Sequence, residues 1–285
     1  MSAITEKWDI EIKPKSKLLD LHLRDVWHYR DLMWLFVRRD FVAQYKQTVL
    51  GPVWHFIQPM LTSIMFLIVF SKIAHISTDH ADPIVFYMCG NIIWTYFSSC
   101  LTNTSNTFTA NASIFGKVYF PRLVLPLSIV ISNVVKFGIS IILLLATMAY
   151  STIVNGYPFY ISWHWIFIPL LVGMMAGIGL GAGIIISALT TKYRDFTVLI
   201  GFAVQLLMYI TPIVYPLSYL SGKKYGVIVE LNPLTYIVEA FKYCMIGQGT
   251  VTLNGMLYSI ILMFVMLFFG TVIFTKVEKT FMDTV

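Results

Sequence analysis

Apolar positions along this chain follow two regimes, and the change comes near residue 50. From Leu21 to Lys46 they recur at helical spacing among charges. Leu23, Val26, Trp27, Met33, Trp34, Val37, Phe41 and Tyr45 share one face. Arg24, Asp25, His28, Asp31, Arg38, Arg39 and Lys46 fall largely opposite, and Leu32, Leu35 and Phe36 blur the boundary. This period predicts an amphipathic helix within residues 21–50, suited to a membrane interface. A soluble helix that binds a partner has the same pattern; the Trp and Arg content favours the membrane surface. Pro52 lacks an N–H and restricts Gly51, so the helix is expected to stop there. Trp54 and His55, just beyond, suit headgroup depth.

After this elbow the apolar positions fuse into long runs. A spanning helix needs about 20 mostly apolar residues. Six stretches qualify as candidates, at residues 57–74, 84–101, 123–150, 163–189, 196–215 and 256–274. The fourth carries Gly173, Gly177 and Gly181, with Gly179 and Gly183 beside them, a pattern that lets helices approach closely. Between the fifth and sixth, within 218–250, the apolar pieces are too short to cross. Val227 to Leu231 and Asn232 to Lys242 are expected to dip into the outer leaflet as re-entrant helices; a loop resting on the surface is the alternative. Asn232 is placed to cap the second piece, with Pro233 at its first position. The expected fold is an all-α integral membrane protein. It has six transmembrane helices in a domain over 51–285, an N-terminal interface helix and short re-entrant helices. Residues 1–20 form a polar lead.

Composition agrees with this reading. Of 285 residues, 58% are hydrophobic and 12% charged, where soluble domains carry about 25% charged residues. The charged N-terminus shows no cleavable signal. Cys89 and Cys100 lie about 16 Å apart along one helix, too far for a bridge, and with Cys244 are read as structural. The net charge of +6 matters through its placement. Lys7, Lys13, Lys15, Lys17, Arg24, Arg30, Arg38, Arg39 and Lys46 precede the first span. Lys117 and Arg122 follow the second, Lys192 and Arg194 the fourth, and Lys276 and Lys279 the last. All fall on one side, which the positive-inside rule makes cytoplasmic, with both termini. The opposite loop 77–83 holds Asp79 and Asp82 and no basic residue, and the stretch 151–162 holds no charge. Lys72 is the exception and can snorkel.

Catalytic signatures are missing. The chain has no Gly-x-x-x-x-Gly-Lys phosphate loop, and its histidines lack zinc-site spacing. His75 and His80, near Asp79 and Asp82, are a weak metal candidate, and no metal is expected. The spans lack the carboxylates that ion-coupled carriers commonly use, and a glycan-modifying enzyme would want an acidic pair that the cytoplasmic loops do not supply. Lys136 stands deep in the third span, at an insertion cost of about 3 kcal/mol. Either it serves function, or it snorkels or faces a hydrated gap between subunits. The second span is unusually polar, with Asn91, Thr95, Ser98, Ser99, Thr102, Asn103 and Thr104 interleaved with Trp94, Tyr96 and Phe97. Rings and amides together suit sugars, and the same residues also suit helix packing. Asn91, Trp94, Tyr96, Phe97, Ser98 and Lys136 are therefore the channel candidates. Arg38, Arg39 and Lys46, before the elbow, sit near headgroup depth, where anchoring to anionic lipid is the plainer role.

Four stretches carry a resemblance. They are Tyr45-Lys46-Gln47-Thr48-Val49-Leu50-Gly51-Pro52-Val53-Trp54 with Gln58-Pro59; Val118-Tyr119-Phe120-Pro121-Arg122 with Leu125-Pro126-Leu127; Tyr193-Arg194-Asp195; and Pro212-Ile213-Val214-Tyr215-Pro216 with Asn232-Pro233-Leu234. In this order they resemble the membrane subunit of type-2 ABC exporters for polysaccharides, which move O-antigen, capsule or teichoic acid. The resemblance implies a homodimer bound to two ATPase subunits that hold ATP and Mg, with no cofactor in this chain. It implies lipid-linked glycan on undecaprenyl diphosphate as substrate, carried across the bacterial inner membrane, and no nucleic acid. It implies that Arg38, Arg39 and Lys46 also receive the lipid diphosphate. Residues 112–122 would be the coupling loop docked on the ATPase, through Phe115, Lys117, Tyr119 and Arg122. Tyr215, Asn232, Tyr236 and Glu239 would belong to an outer gate. Lys242 stands where the family leads one to expect Arg after Glu-Ala-Phe, and Val42-Ala43-Gln44 is less basic than usual.

Overall fold

The computed structural model describes residues 23–46, 51–115, 118, 120–191, 193, 195–220 and 223–281, and every regular element among them is helical. Two helices open the described chain, α1 (Leu23–His28) and α2 (Arg30–Tyr45). The expected single apolar face divides in two. Val26, Phe36 and Val37 are buried against the protein, whereas Trp27 and Trp34 are 70% and 64% exposed. Phe36 belongs to the buried face because α2 packs on a long helix, α7 (Val124–Asn155), and its ring meets Phe120 at 5.8 Å. The exposed Trp pair is left for a membrane interface. At the elbow Gly51 has φ +49°, a left-handed value that favours glycine, and opens a short turn over Gly51–Val53.

Five helical segments are long and apolar enough to cross a membrane: Trp54–Ile73, Pro83–Ser105, Val124–Asn155, Trp163–Thr190 and Leu253–Val277. The first joins α3 (Trp54–Phe66) to a wider π-helical turn over Leu67–Ile73. The second is α4 (Pro83–Ser105), whose N-terminus Asp82 caps by accepting from the Ile84 N–H at 3.1 Å. After α4 come two single turns, α5 (Thr107–Ala110) and α6 (Ala112–Phe115). α7 ends at Gly156, φ +72°, as helices commonly do. Next is α8 (Ile168–Thr190), entered through a tight turn over Trp163–Phe167.

The expected fifth span is instead a shorter apolar helix, α9 (Phe196–Ile210), of 15 residues. Its end has a local cause. Thr211 precedes Pro212, whose ring disfavours helical backbone at the residue before it, and Thr211 is extended at ψ 139°. The chain then makes α10 (Gly226–Glu230), α11 (Pro233–Ile246) and the last long helix, α12 (Leu253–Phe281). Asn232 caps α11 by accepting from the Leu234 N–H at 3.1 Å, with Pro233 first, as the sequence leads one to expect. α11 is no surface loop: ten of its residues are buried, against α4, α8 and α12. α10 presents Val227 and Ile228 outward.

α8 is the centre of the bundle, packed against α4 on one side and α12 on the other. Its glycines divide by face. A Cβ on Gly183 would lie 2.7 Å from the Thr104 Cβ of α4, and one on Gly181 would lie 2.7 Å from the Met266 carbonyl carbon of α12. Gly270 of α12 answers, with its own Cβ position 2.8 Å from the Gly181 carbonyl oxygen. Gly173, grouped with these in the sequence pattern, faces open space. A second core sits at the end where α2 and α5 meet, hereafter the basic end. There Phe36, Phe108, Phe115, Phe120 and Phe274 pack together, and Phe108 stacks on Phe274 at 4.5 Å.

Candidate functional site

Polar side chains in α4 fall at Asn91, Thr95, Ser99 and Asn103, four residues apart. In a helix that spacing makes one stripe along one face. The stripe runs from mid-helix to the basic end and lines a cavity of about 250 Å³. α3 contributes His55, Gln58 and Thr62 to the wall, and α7 contributes Asn133, Lys136 and Ser140. Pro59 in α3 opens a local polar point. Its carbonyl accepts from Ser63 Oγ at 2.8 Å and from Asn91 Nδ2 at 3.4 Å. Thr95 Oγ1 donates to Asn91 Oδ1 at 3.4 Å. His55 therefore lines the cavity, where the sequence suggested a headgroup anchor.

Asn103 also lines a second cavity, of about 440 Å³, with Arg39, Asp40, Asn106 and Asn111. Arg39 pairs with Asp40 at 2.8 Å, and its guanidinium lies 4.8 Å from the Phe36 ring centre. The two cavities share a wall residue, so polar groups are continuous from the interface helix to Lys136. Arg38 and Lys46 are exposed on α2 and its end and line neither cavity.

Of the channel candidates, Asn91, Tyr96 and Lys136 line the cavity. Trp94 and Phe97 do not. Both are buried, 5.4 Å apart between ring centres, in the core that α4 shares with α8. Ser98 donates to the Thr95 carbonyl at 3.1 Å and stays outside the lining. Single cysteines introduced at Thr95 or Ser99, in a chain lacking native thiols, should react with water-soluble thiol reagents. Cysteines at Trp94 and Phe97 should react at least tenfold more slowly. Equal rates at all four positions would mean that the stripe is not the wetted face.

Phe115 is also a core residue. Its ring stacks on Phe120 at 5.8 Å, and the Arg122 guanidinium lies 5.3 Å from its centre. Lys117 and Tyr119 lie outside the described residues. Val118, between them, is 59% exposed.

At the opposite end each of the expected gate residues is fastened to its surroundings by a side-chain hydrogen bond or ion pair. Tyr215 Oη donates to the Tyr209 carbonyl and Tyr236 Oη to the Glu230 carbonyl, each at 2.9 Å. Asn232 Nδ2 donates to Thr211 Oγ1 at 2.8 Å. Glu239 and Lys242 are wholly buried, with Lys242 Nζ 3.5 Å from Glu239 Oε1. Lys242 also donates to the Pro212 carbonyl at 2.5 Å and sits 3.9 Å above the Phe86 ring. Glu239 Oε2 accepts the Thr250 N–H at 3.1 Å. One side-chain pair thus ties α11 to the 211–216 segment, α4 and the loop before α12. Sequence reasoning noted Lys242 only as a departure. Its signal was a Glu and a Lys three apart inside an apolar piece. Among the described residues no three His, Cys, Asp or Glu side chains are grouped to hold a metal.

The profile of the ABC-2 type transporter family matches residues 31–246, from α2 to the end of α11. The chain belongs to the ABC-2 type transporter family. As a member it is a multi-pass membrane permease. The match includes both cavities and the buried pair; α1 precedes it and α12 follows it. Similar proteins include two named O-antigen export system permease protein RfbA from Klebsiella pneumoniae. One is 29% identical over 212 residues, covering 74% of this chain and 79% of that protein. The other is 27% identical over 253 residues, covering 89% and 94%. A protein of the same name from Myxococcus xanthus is 26% identical over 222 residues, covering 77% and 82%.

Proposed function

We propose that this ABC-2 transporter is the transmembrane subunit of an ATP-driven exporter of O-antigen-like polysaccharide, carried on undecaprenyl diphosphate. The observation that carries the reading is the polar path from Arg39 to Lys136, set in a chain whose similar relatives are O-antigen export permeases. In this reading two copies of the chain assemble with two ATPase subunits that bind ATP and Mg. The basic end is cytoplasmic, both termini lie there, and the membrane is the bacterial inner membrane. α9 with the 211–216 segment completes a sixth crossing. Arg39, held at the cavity mouth, receives the lipid diphosphate, with Arg38 and Lys46 supplying attraction from the surface. Tyr215, Asn232, Tyr236 and Glu239 belong to the outer gate.

Deleting the gene should remove surface polysaccharide and leave lipid-linked glycan on the cytoplasmic face. Surface glycan that persists at parental levels would overturn the reading, and an exporter of another lipid or drug would replace it. Docking on the ATPase gives a separate expectation. Val118→Asp should prevent copurification of the ATPase while the chain stays folded, because the side chain is exposed. Phe115→Asp should lose folded chain as well, because it puts a carboxylate into the aromatic core. If Val118→Asp keeps the ATPase bound, the coupling surface lies elsewhere.

A further inference from the structure

Lys136 sits about 18 Å along α7 from Val124, at 1.5 Å per residue, far from either end of a helix that crosses the membrane. Among the described residues its ammonium has no hydrogen-bond or ion-pair partner. The usual reason to keep a lysine within a span is a carboxylate opposite it. Here, among the described residues, no carboxylate touches it; Asp40 acts on it only from a distance and is itself paired with Arg39. Across the whole sequence the six apolar stretches hold no Asp or Glu. Outside them, Asp40 is engaged with Arg39 and Glu239 with Lys242. A second copy of the chain would bring the same carboxylate-free spans, so a subunit interface cannot neutralise this charge either. The wall around Lys136 adds His55, the amides of Gln58, Asn91 and Asn133, and the hydroxyls of Thr62, Thr95, Ser99 and Ser140. This set offers one fixed cation and many hydrogen bonds. A water takes about 30 Å³, and the cavity is several times larger.

We propose that the cavity between α3, α4 and α7 is an oxyanion site within the membrane, where Lys136 binds the phosphate group of a lipid. The ligand supplies the missing negative charge. It reaches the site past Arg39 and along the Asn103–Ser99–Thr95 stripe. The inference rests on the export reading for one of two sources, the diphosphate of the glycan carrier. The other source is the headgroup of an anionic phospholipid, which has the same chemistry.

The test uses the complex of this chain with its ATPase in lipid nanodiscs. The chain carries Ser99→Cys and lacks Cys89, Cys100 and Cys244. The probe is farnesyl diphosphate, with farnesol as the neutral control. In phosphatidylcholine discs farnesyl diphosphate should slow thiol modification at position 99 at least tenfold, and farnesol should not. Lys136→Arg should keep this protection; Lys136→Met and Lys136→Gln should lose it. Protection by phosphatidylglycerol discs alone, dependent on Lys136, would identify the phospholipid headgroup as the source. Protection by farnesyl diphosphate alone would identify the carrier. Equal protection by farnesol, or undiminished protection in folded Lys136→Met and Lys136→Gln, would overturn the proposal. The farnesol comparison needs no substitution at Lys136, so a Lys136 variant that fails to fold does not spare the idea. Should protection fail while gene deletion still abolishes surface glycan, this site falls and the export reading stands.

Discussion

Lys242→Met should unfold the end of the bundle opposite the basic end far more readily than the parent. Lys242 and Glu239 are buried to within 1% exposure, and each holds other groups besides its partner. Removing one member of a buried pair leaves an uncompensated charge and typically costs about 3–5 kcal/mol. Glu239 would keep the Thr250 N–H but lose its counter-ion. The Pro212 carbonyl would lose its donor, freeing the 211–216 segment that presses on α4 at Gly90. The double variant Glu239→Gln with Lys242→Met removes both charges and should recover much of the loss. Unfolding in mixed micelles, titrated with denaturing detergent, measures the cycle. Equal midpoints for parent and Lys242→Met would show that the pair is not what fastens α11.

Much of the fold was legible because spanning helices leave a coarse signal. Runs near 20 residues mark them, and four of the six expected stretches coincide with long helices to within a few residues at most bounds. The last, expected over 256–274, extends further at both ends, to Leu253 and Phe281. α9 was drawn too long because apolar content continues through residues 211–215, whereas a single X-Pro step ends the helix. The interface helix was read as two-faced because periodicity records polarity and not neighbours. Trp27 and Phe36 are equally apolar, and only the packing of α2 on α7 separates them. The small-residue stripe of α8 was visible, but which glycine meets which helix was not. Gly173 shares the spacing of Gly177 and Gly181 and touches nothing.

The site was half legible for a related reason. Polar residues inside a span are conspicuous, so Asn91 and Lys136 stood out. Trp94, Tyr96 and Phe97 are neighbours in sequence, yet at 100° per residue Trp94 and Phe97 share a face and Tyr96 points nearly opposite. Only Tyr96 therefore reaches the cavity. Phe115 looked like a docking residue because an aromatic among basic loop residues suits a groove on a partner. Phe108 and Phe120 already pack on it, and Phe274, far along the chain, stacks on Phe108 behind them. The Asn91–Thr95–Ser99–Asn103 stripe, by contrast, was readable at four-residue spacing, and all four of its residues line the cavity, where only Tyr96 of the three aromatics does.

Gly181→Leu should give little or no folded protein. Overpacking a core commonly costs about 1–3 kcal/mol, when side chains can shift to make room. At Gly181 the obstacle is backbone. The Met266 carbonyl carbon would lie 2.7 Å from the new Cβ and the Leu267 amide nitrogen 2.9 Å. Relief requires moving α12 away from α8 along its length, which breaks the contact with Gly270 as well. In a membrane, close packing of this kind is a principal source of helix association, so the separated helix gains little from lipid in return. Gly173→Leu is the matched control. It puts the same side chain on the same helix, two turns away, into open space, and Leu is the better helix former. The yield of monodisperse protein after detergent extraction, compared between the two variants at equal expression, decides the matter. Equal recovery of both would mean that α8 and α12 tolerate separation and that the glycine contact does not hold the bundle.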